Sequence, residues 1–125
     1  MDFIRTELPQ DHPRRAREIL ADHPEVRTLF GRNPWTALVV LGVVALQLAI
    51  AFALRDAWWL WIVVVAYCFG AFANHALFVG NHEAGHNLVL PKQWQNLVMG
   101  IVGDIPLGFP TAVTFRRFHL VHHGH

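Results

Sequence analysis

The chain changes character near residue 35. Residues 1–34 mix charged and apolar side chains, and from Thr36 almost every position is apolar for long stretches. In the polar stretch, Asp11 is placed to cap a helix that begins near Pro13 and runs to about Ala21. Asp22 is placed to cap a second helix, from near Pro24 to Gly31, with Val26, Leu29 and Phe30 on one face. Thr36–Leu54 reads TALVVLGVVALQLAIAFAL, 19 residues in which Gln47 is the one polar side chain after the opening threonine. A helix needs about 20 such residues to cross a bilayer core. Arg55-Asp56 makes a very short turn, and Ala57–Gly80 follows as a second span of 24 residues. Trp58, Trp59 and Trp61 open it as an aromatic belt for the membrane interface. So short a link makes the two spans an antiparallel hairpin.

Residues 97–115 (LVMGIVGDIPLGFPTAVTF) are apolar but broken by Asp104, Pro106 and Pro110. Proline inside a helix costs about 3 kcal/mol, and a buried aspartate adds to that. The stretch therefore reads as an interfacial or re-entrant segment rather than a third span. The expected fold is all-α and multi-pass: a transmembrane helical hairpin plus interfacial helices. The expected division is an N-terminal segment over 1–34 and the start of a membrane domain over 35–125.

Composition sharpens this picture. Hydrophobic residues make up 54% of the chain and charged residues 15%, against about 25% charged in an ordinary soluble domain. That argues against a soluble enzyme and against disorder. A net charge of +1 argues against a nucleic-acid reader, which carries a basic patch. The single cysteine, Cys68, excludes a disulfide framework and a thiolate zinc site. No apolar h-region follows the start, so it is not a secretory signal, and Asp2 rules out N-terminal myristoylation. Six arginines precede the first span and Arg55 alone sits in the turn, while Lys92, Arg116 and Arg117 follow the second. The excess of positive charge then puts the N-terminus and everything after Gly80 on the cytoplasmic side. Arg116 and Arg117 read as interfacial anchors that snorkel to the headgroups. Nine arginines against one lysine point to a GC-rich, bacterial genome and hence a plasma (inner) membrane. In a eukaryote the endoplasmic reticulum would take its place.

The chain holds nine histidines. At 100° per residue, His75, His82 and His86 fall at about 0°, −20° and 20° on a helix and share a face. His119, His122 and His123 fall at about 0°, −60° and 40°, with His125 on the other side. Neutral imidazole is a good ligand for iron, zinc, copper and nickel, and polar groups at membrane depth are costly and usually functional. His75 alone reads more readily as a structural residue bonded to a neighbouring helix. His82 with His86 has the i, i+4 geometry a metal needs. His12 and His23, in the polar N-terminus, have no such partner.

His82-Glu83-Ala84-Gly85-His86 also fits HExxH, in which two histidines bind zinc and the glutamate is a general base. A membrane zinc metalloprotease is therefore an alternative. Against it, a catalytic zinc needs only three protein ligands plus water, and five or six histidines exceed that. They fit a share in a two-metal site rich in imidazole, with a lipid acyl chain as substrate. A metal- or haem-binding membrane module without catalysis is the remaining reading.

HEAGHN at 82–87 and HLVHH at 119–123 resemble the first and second histidine boxes of the membrane fatty acid desaturase superfamily. The stretches HPRRAREIL from His12 and HPEVRTLFG from His23 resemble the region ahead of the spans in sphingolipid (dihydroceramide) Δ4-desaturases, and so does DIPLGFPTAVTFRRFH at 104–119. The resemblance implies a non-haem di-iron centre that uses O2 to introduce a trans double bond into a sphingoid chain. Electrons would come from cytochrome b5 with its reductase, or from a ferredoxin. It matches His82, His86, His119, His122 and His123 to iron ligands, with His75, Asn74, Glu83 and Asn87 as candidates to orient them. A lipid hydroxylase uses the same machinery and stays open. The family carries a third histidine box downstream, so the chain is expected to be an N-terminal fragment, inactive by itself.

Overall fold

A computed structural model describes residues 11–123, with side chains from Arg14 to Val121. The readings on Asp2 and His125 lie outside the described residues, as do the side chains of Asp11, His12, His122 and His123. Every described element is helical, and the chain divides into two compact units at Gly31/Arg32.

The first unit holds helix α1 (Asp11–Asp22) and a 3-10 helix (Pro24–Leu29). The second helix expected here is thus tighter and shorter than an α-helix. Thr28 Oγ1 donates to the Glu25 carbonyl at 2.7 Å, a local bond of the kind that competes with regular helix, and Phe30 is already extended. Leu29 and Phe30 are exposed while Val26 is half-buried, so the three do not form a buried face.

The second unit opens with α2 (Trp35–Ala53). A turn at 54–57 follows, where Arg55 Nε donates to Asp56 Oδ2 at 3.0 Å. Helix α3 (Trp59–Val65), a π-helical segment (Ala66–Gly70) and α4 (Ala71–Gly85) then run on without a break. The two stretches, Trp35–Ala53 and Trp59–Gly85, are each long and apolar enough to cross a membrane. The second continues five residues past the expected end at Gly80. Asn81 marks where polarity changes, but the backbone goes on bonding within the helix until Gly85.

The seam between α2 and α4 is built from small and β-branched residues. Val40, Val44 and Leu77 form one buried cluster, supported by Met99 and Val102. A Cβ on Gly80 would lie 2.6 Å from Val40 Cγ2, so glycine sets how closely the helices approach. Such close approach is how helices associate where apolar burial offers no advantage.

After α4 the chain turns through 86–92 into α5 (Gln93–Asp104). Asn96, almost fully buried, shapes this turn. Its side chain accepts from the Val89 and Leu90 N–H groups at 3.2 and 2.9 Å and donates to the Leu90 and Lys92 carbonyls at 2.7 and 2.8 Å. Helix α6 (Ala112–His123) closes the described chain. The segment read as one broken stretch is therefore two helices, with Pro106 and Pro110 in the turn between them, where neither interrupts a helical ladder. Gly108 occupies the left-handed region there, at φ 67°.

Candidate metal centre

The end of α4 and the middle of α6 bring three imidazoles together. His82, His86 and His119 each offer a ring nitrogen, and these nitrogens all lie within 4.8 Å of one another. The ring centroids are 4.9 Å apart for His82–His86, 4.4 Å for His82–His119 and 4.9 Å for His86–His119. His86 Nε2 and His119 Nε2 are 2.9 Å apart, one donating to the other. All three residues are half-buried.

Helical geometry explains the pair on α4. His82 lies in the last turn, and His86 is the residue at which the helix ends (φ −85°, ψ 2°), so the i, i+4 spacing still stacks them on one face. That face meets α6 through aromatic rings. Phe115 meets Phe78 edge-on at 5.1 Å and stacks on His119 at 4.7 Å, with 15° between the planes. Phe115 also lies 6.1 Å from the His82 ring, so it backs the cluster at His82 and His119.

The donor set fits a metal of the imidazole-preferring kind. Two nitrogens held by one ion at ~2.0–2.1 Å sit about 3 Å apart when their bonds are near a right angle, close to the 2.9 Å between His86 and His119. His122 and His123 lie on the same helix one turn beyond His119.

The other expected site residues divide. His75 is exposed and stands apart from the cluster. It shares the angular face, but it lies seven residues before His82, about 10 Å along the axis. The Asn74 side chain has a buried Oδ1 with no hydrogen-bond partner among the described residues. Glu83 is half-buried on the His82 turn, and its carbonyl accepts the Leu88 N–H at 3.1 Å. Asn87 takes a left-handed conformation (φ 60°), and its Oδ1 accepts from Arg116 Nη1 at 3.1 Å.

Two groups around the site were not singled out by the sequence in the roles they play. Arg116, read as a headgroup anchor, turns inward instead. Its Nη1 donates to the Gly85 and Ala84 carbonyls at 2.7 and 3.3 Å. These are among the last carbonyls of α4, which have no partner within the helix, and an arginine lowers their energy by bonding and by its charge at the negative end of the dipole. Asp104, read as a cost to a buried helix, is fully engaged. Its carboxylate accepts the N–H groups of Thr111 and Ala112 at 2.6 Å each, the Thr111 hydroxyl at 2.8 Å and Asn81 Nδ2 at 3.2 Å. A cluster of acceptors and donors like this offsets burial of the charge. The signal for it lay in polar residues far apart along the chain, which no local window joins.

Comparison with known proteins gives one recurring likeness. The family described as sphingolipid Delta4-desaturase (DES) matches residues 1–35. A rice protein named sphingolipid delta(4)-desaturase is 45% identical over 122 residues, 98% of this chain and 37% of the relative. The human sphingolipid delta(4)-desaturase is 33% identical over 124 residues, 98% of this chain and 38% of its own. A Caenorhabditis elegans relative, 35% identical over 98% of this chain and 34% of its own length, carries the double name sphingolipid delta(4)-desaturase/C4-monooxygenase. The chain thus spans little more than a third of the curated relatives it matches. No solved structure matches it.

Proposed function

We propose that this chain, which belongs by sequence to the sphingolipid Δ4-desaturase family, is part of an oxygen-dependent oxidoreductase that places a trans double bond in a dihydroceramide-like chain. The observation that carries the reading is the convergence of His82, His86 and His119 at the end of a helix long and apolar enough to cross a membrane. In this reading His82, His86, His119, His122 and His123 hold part of a non-haem di-iron centre. Glu83 and Asn87, next to His82 and His86 in the chain, orient those ligands, and Asn74 and His75, two turns earlier on α4, take that role only through intervening groups. When bound, the irons with O2 and two electrons from a carrier supply the oxidising power that removes two hydrogens from the lipid and releases water. Cytochrome b5 with its reductase, or a ferredoxin, is the proposed donor.

The chain's own residues do the rest. The hairpin of α2 and α3–α4 crosses the membrane twice, with residues 1–34 and everything after Gly80 on the cytoplasmic side. The tryptophans at 58, 59 and 61 mark the opposite interface. The histidines therefore stand at the membrane's cytoplasmic rim, within reach of an acyl chain lying in the bilayer. The membrane is the endoplasmic reticulum in a eukaryotic host and the plasma membrane in a bacterial one.

A C4-monooxygenase is the second reading, favoured by the double name of the nematode relative. It uses the same ligands and differs in its product. The test is metal analysis and product mass for the full-length protein. Two irons per chain, lost in His86→Ala and His119→Ala, with a product lacking two hydrogens, is the expected result. A product that has gained one oxygen instead selects the monooxygenase. One zinc per chain, with peptide cleavage abolished by Glu83→Ala, would overturn both in favour of a metalloprotease.

A further inference from the structure

Helix α6 carries His119, yet its rotation and height against α4 are not set by the histidines themselves. Two polar attachments bracket them. At the start of α6, the Asp104 carboxylate takes the Thr111 and Ala112 N–H groups and the Thr111 hydroxyl, and it also takes Asn81 Nδ2 from α4, the residue before His82. Gly100 leaves room for this junction, since a Cβ there would lie 2.6 Å from Asn81 Oδ1 and 3.0 Å from Ala112 Cβ. One turn further along α6, Arg116 Nη1 reaches the Ala84 and Gly85 carbonyls and Asn87 Oδ1, on either side of His86. Arg116 is three residues before His119, so the two side chains share a face of the helix.

We infer that Arg116 is a positioning residue for the metal centre: by bridging α6 to the carbonyl end of α4, it holds His119 in register with His82 and His86. The inference rests on the metal reading above and concerns a residue outside the proposed ligand set. Three features set Arg116 apart from a headgroup anchor. Its guanidinium points into the protein, its acceptors are two carbonyls at the end of α4 and Asn87 Oδ1, and they flank a cluster histidine. A slip of one residue along α6 would turn His119 by about 100° away from α4. Arg116 loses all three acceptors if α6 turns in that way.

The test uses the full-length protein in lipid nanodiscs, titrated with Co(II) and followed by its visible absorption, alongside helix content from circular dichroism. Arg116→Met is expected to bind Co(II) roughly 10–100-fold more weakly, the range for loss of groups that orient metal ligands, with helix content unchanged. Arg116→Lys, which keeps one charged donor, recovers part of the affinity. Asn87→Gly, which accepts the left-handed backbone but removes Oδ1, gives a smaller weakening than Arg116→Met. Wild-type affinity in Arg116→Met overturns the inference. So does a joint fall of affinity and helix content that Arg116→Lys does not reverse, because Arg116 then serves folding alone. No Co(II) binding by the unmodified full-length protein removes the metal reading itself, a result distinct from the other two.

Discussion

The two sides of α4 are held by opposite means. Toward α2 its Leu77 and Gly80 meet Val40 and Val44, and contact depends on shape: Val40 sits where any Gly80 side chain would be. Toward α5 and α6 it meets Asp104 and Arg116, and contact depends on pairing donors with acceptors. The difference follows from what each side must do. A seam of apolar surfaces tolerates sliding by a turn at modest cost, because dispersion contacts are numerous and individually weak. A network of directed bonds does not, and that is the side on which three imidazoles have to converge.

The contrast breaks most sharply at Asp104. Asp104→Ala leaves two backbone N–H groups, a hydroxyl and an amide without their acceptor. Each such buried group costs about 1–3 kcal/mol, so the loss is expected to reach about 3–5 kcal/mol, since the hydroxyl and amide can find other partners. Chemical unfolding of the chain in detergent measures it, and hydrogen exchange across 111–116 shows whether α6 frees first. The apolar side gives the next effect. Gly80→Ala puts a methyl 2.6 Å from Val40 Cγ2, an overpacking worth about 1–3 kcal/mol. Val40→Ala in the same chain is expected to restore most of that stability, whereas no apolar partner change rescues Asp104→Ala. The smallest effect is at Gln47. Its Nε2 is buried and has no partner among the described residues, so Gln47→Leu removes an unmet donor and is expected to be neutral or stabilising by up to about 1 kcal/mol. A clear loss of stability there would show a polar tie on the seam that the comparison denies.

Much of this arrangement could be read from the chain. The two long helices follow from unbroken apolar runs, and His82 with His86 from i, i+4 spacing, because both are local periodicities. The convergence of His119 with them was expected from the second cluster. What local pattern cannot show is the pairing of positions far apart. Asp104 with Asn81 and Arg116 with Gly85 join residues separated by 23 and 31 positions, where the sequence read Asp104 as a buried cost and Arg116 as a headgroup anchor. His75 shows the converse limit: its angular position matches His82 and His86, but a helical wheel has no axial coordinate, and His75 lies two turns before them on α4, outside the three-imidazole group.

The π-helical segment at Ala66–Gly70 carries a consequence for the whole second stretch. It holds one residue more per turn than the helix on either side. The tryptophan end and the histidine end are therefore two independently clocked halves of a single rod. Deleting one residue within 66–70 would remove the extra residue of that turn and leave the two halves nearly in phase, whereas the same deletion within Ala71–Gly85 would swing one end against the other by about 100°. The segment works as a phase adjuster: it takes up one residue between the tryptophan end and the histidine end without changing the direction in which the imidazoles point.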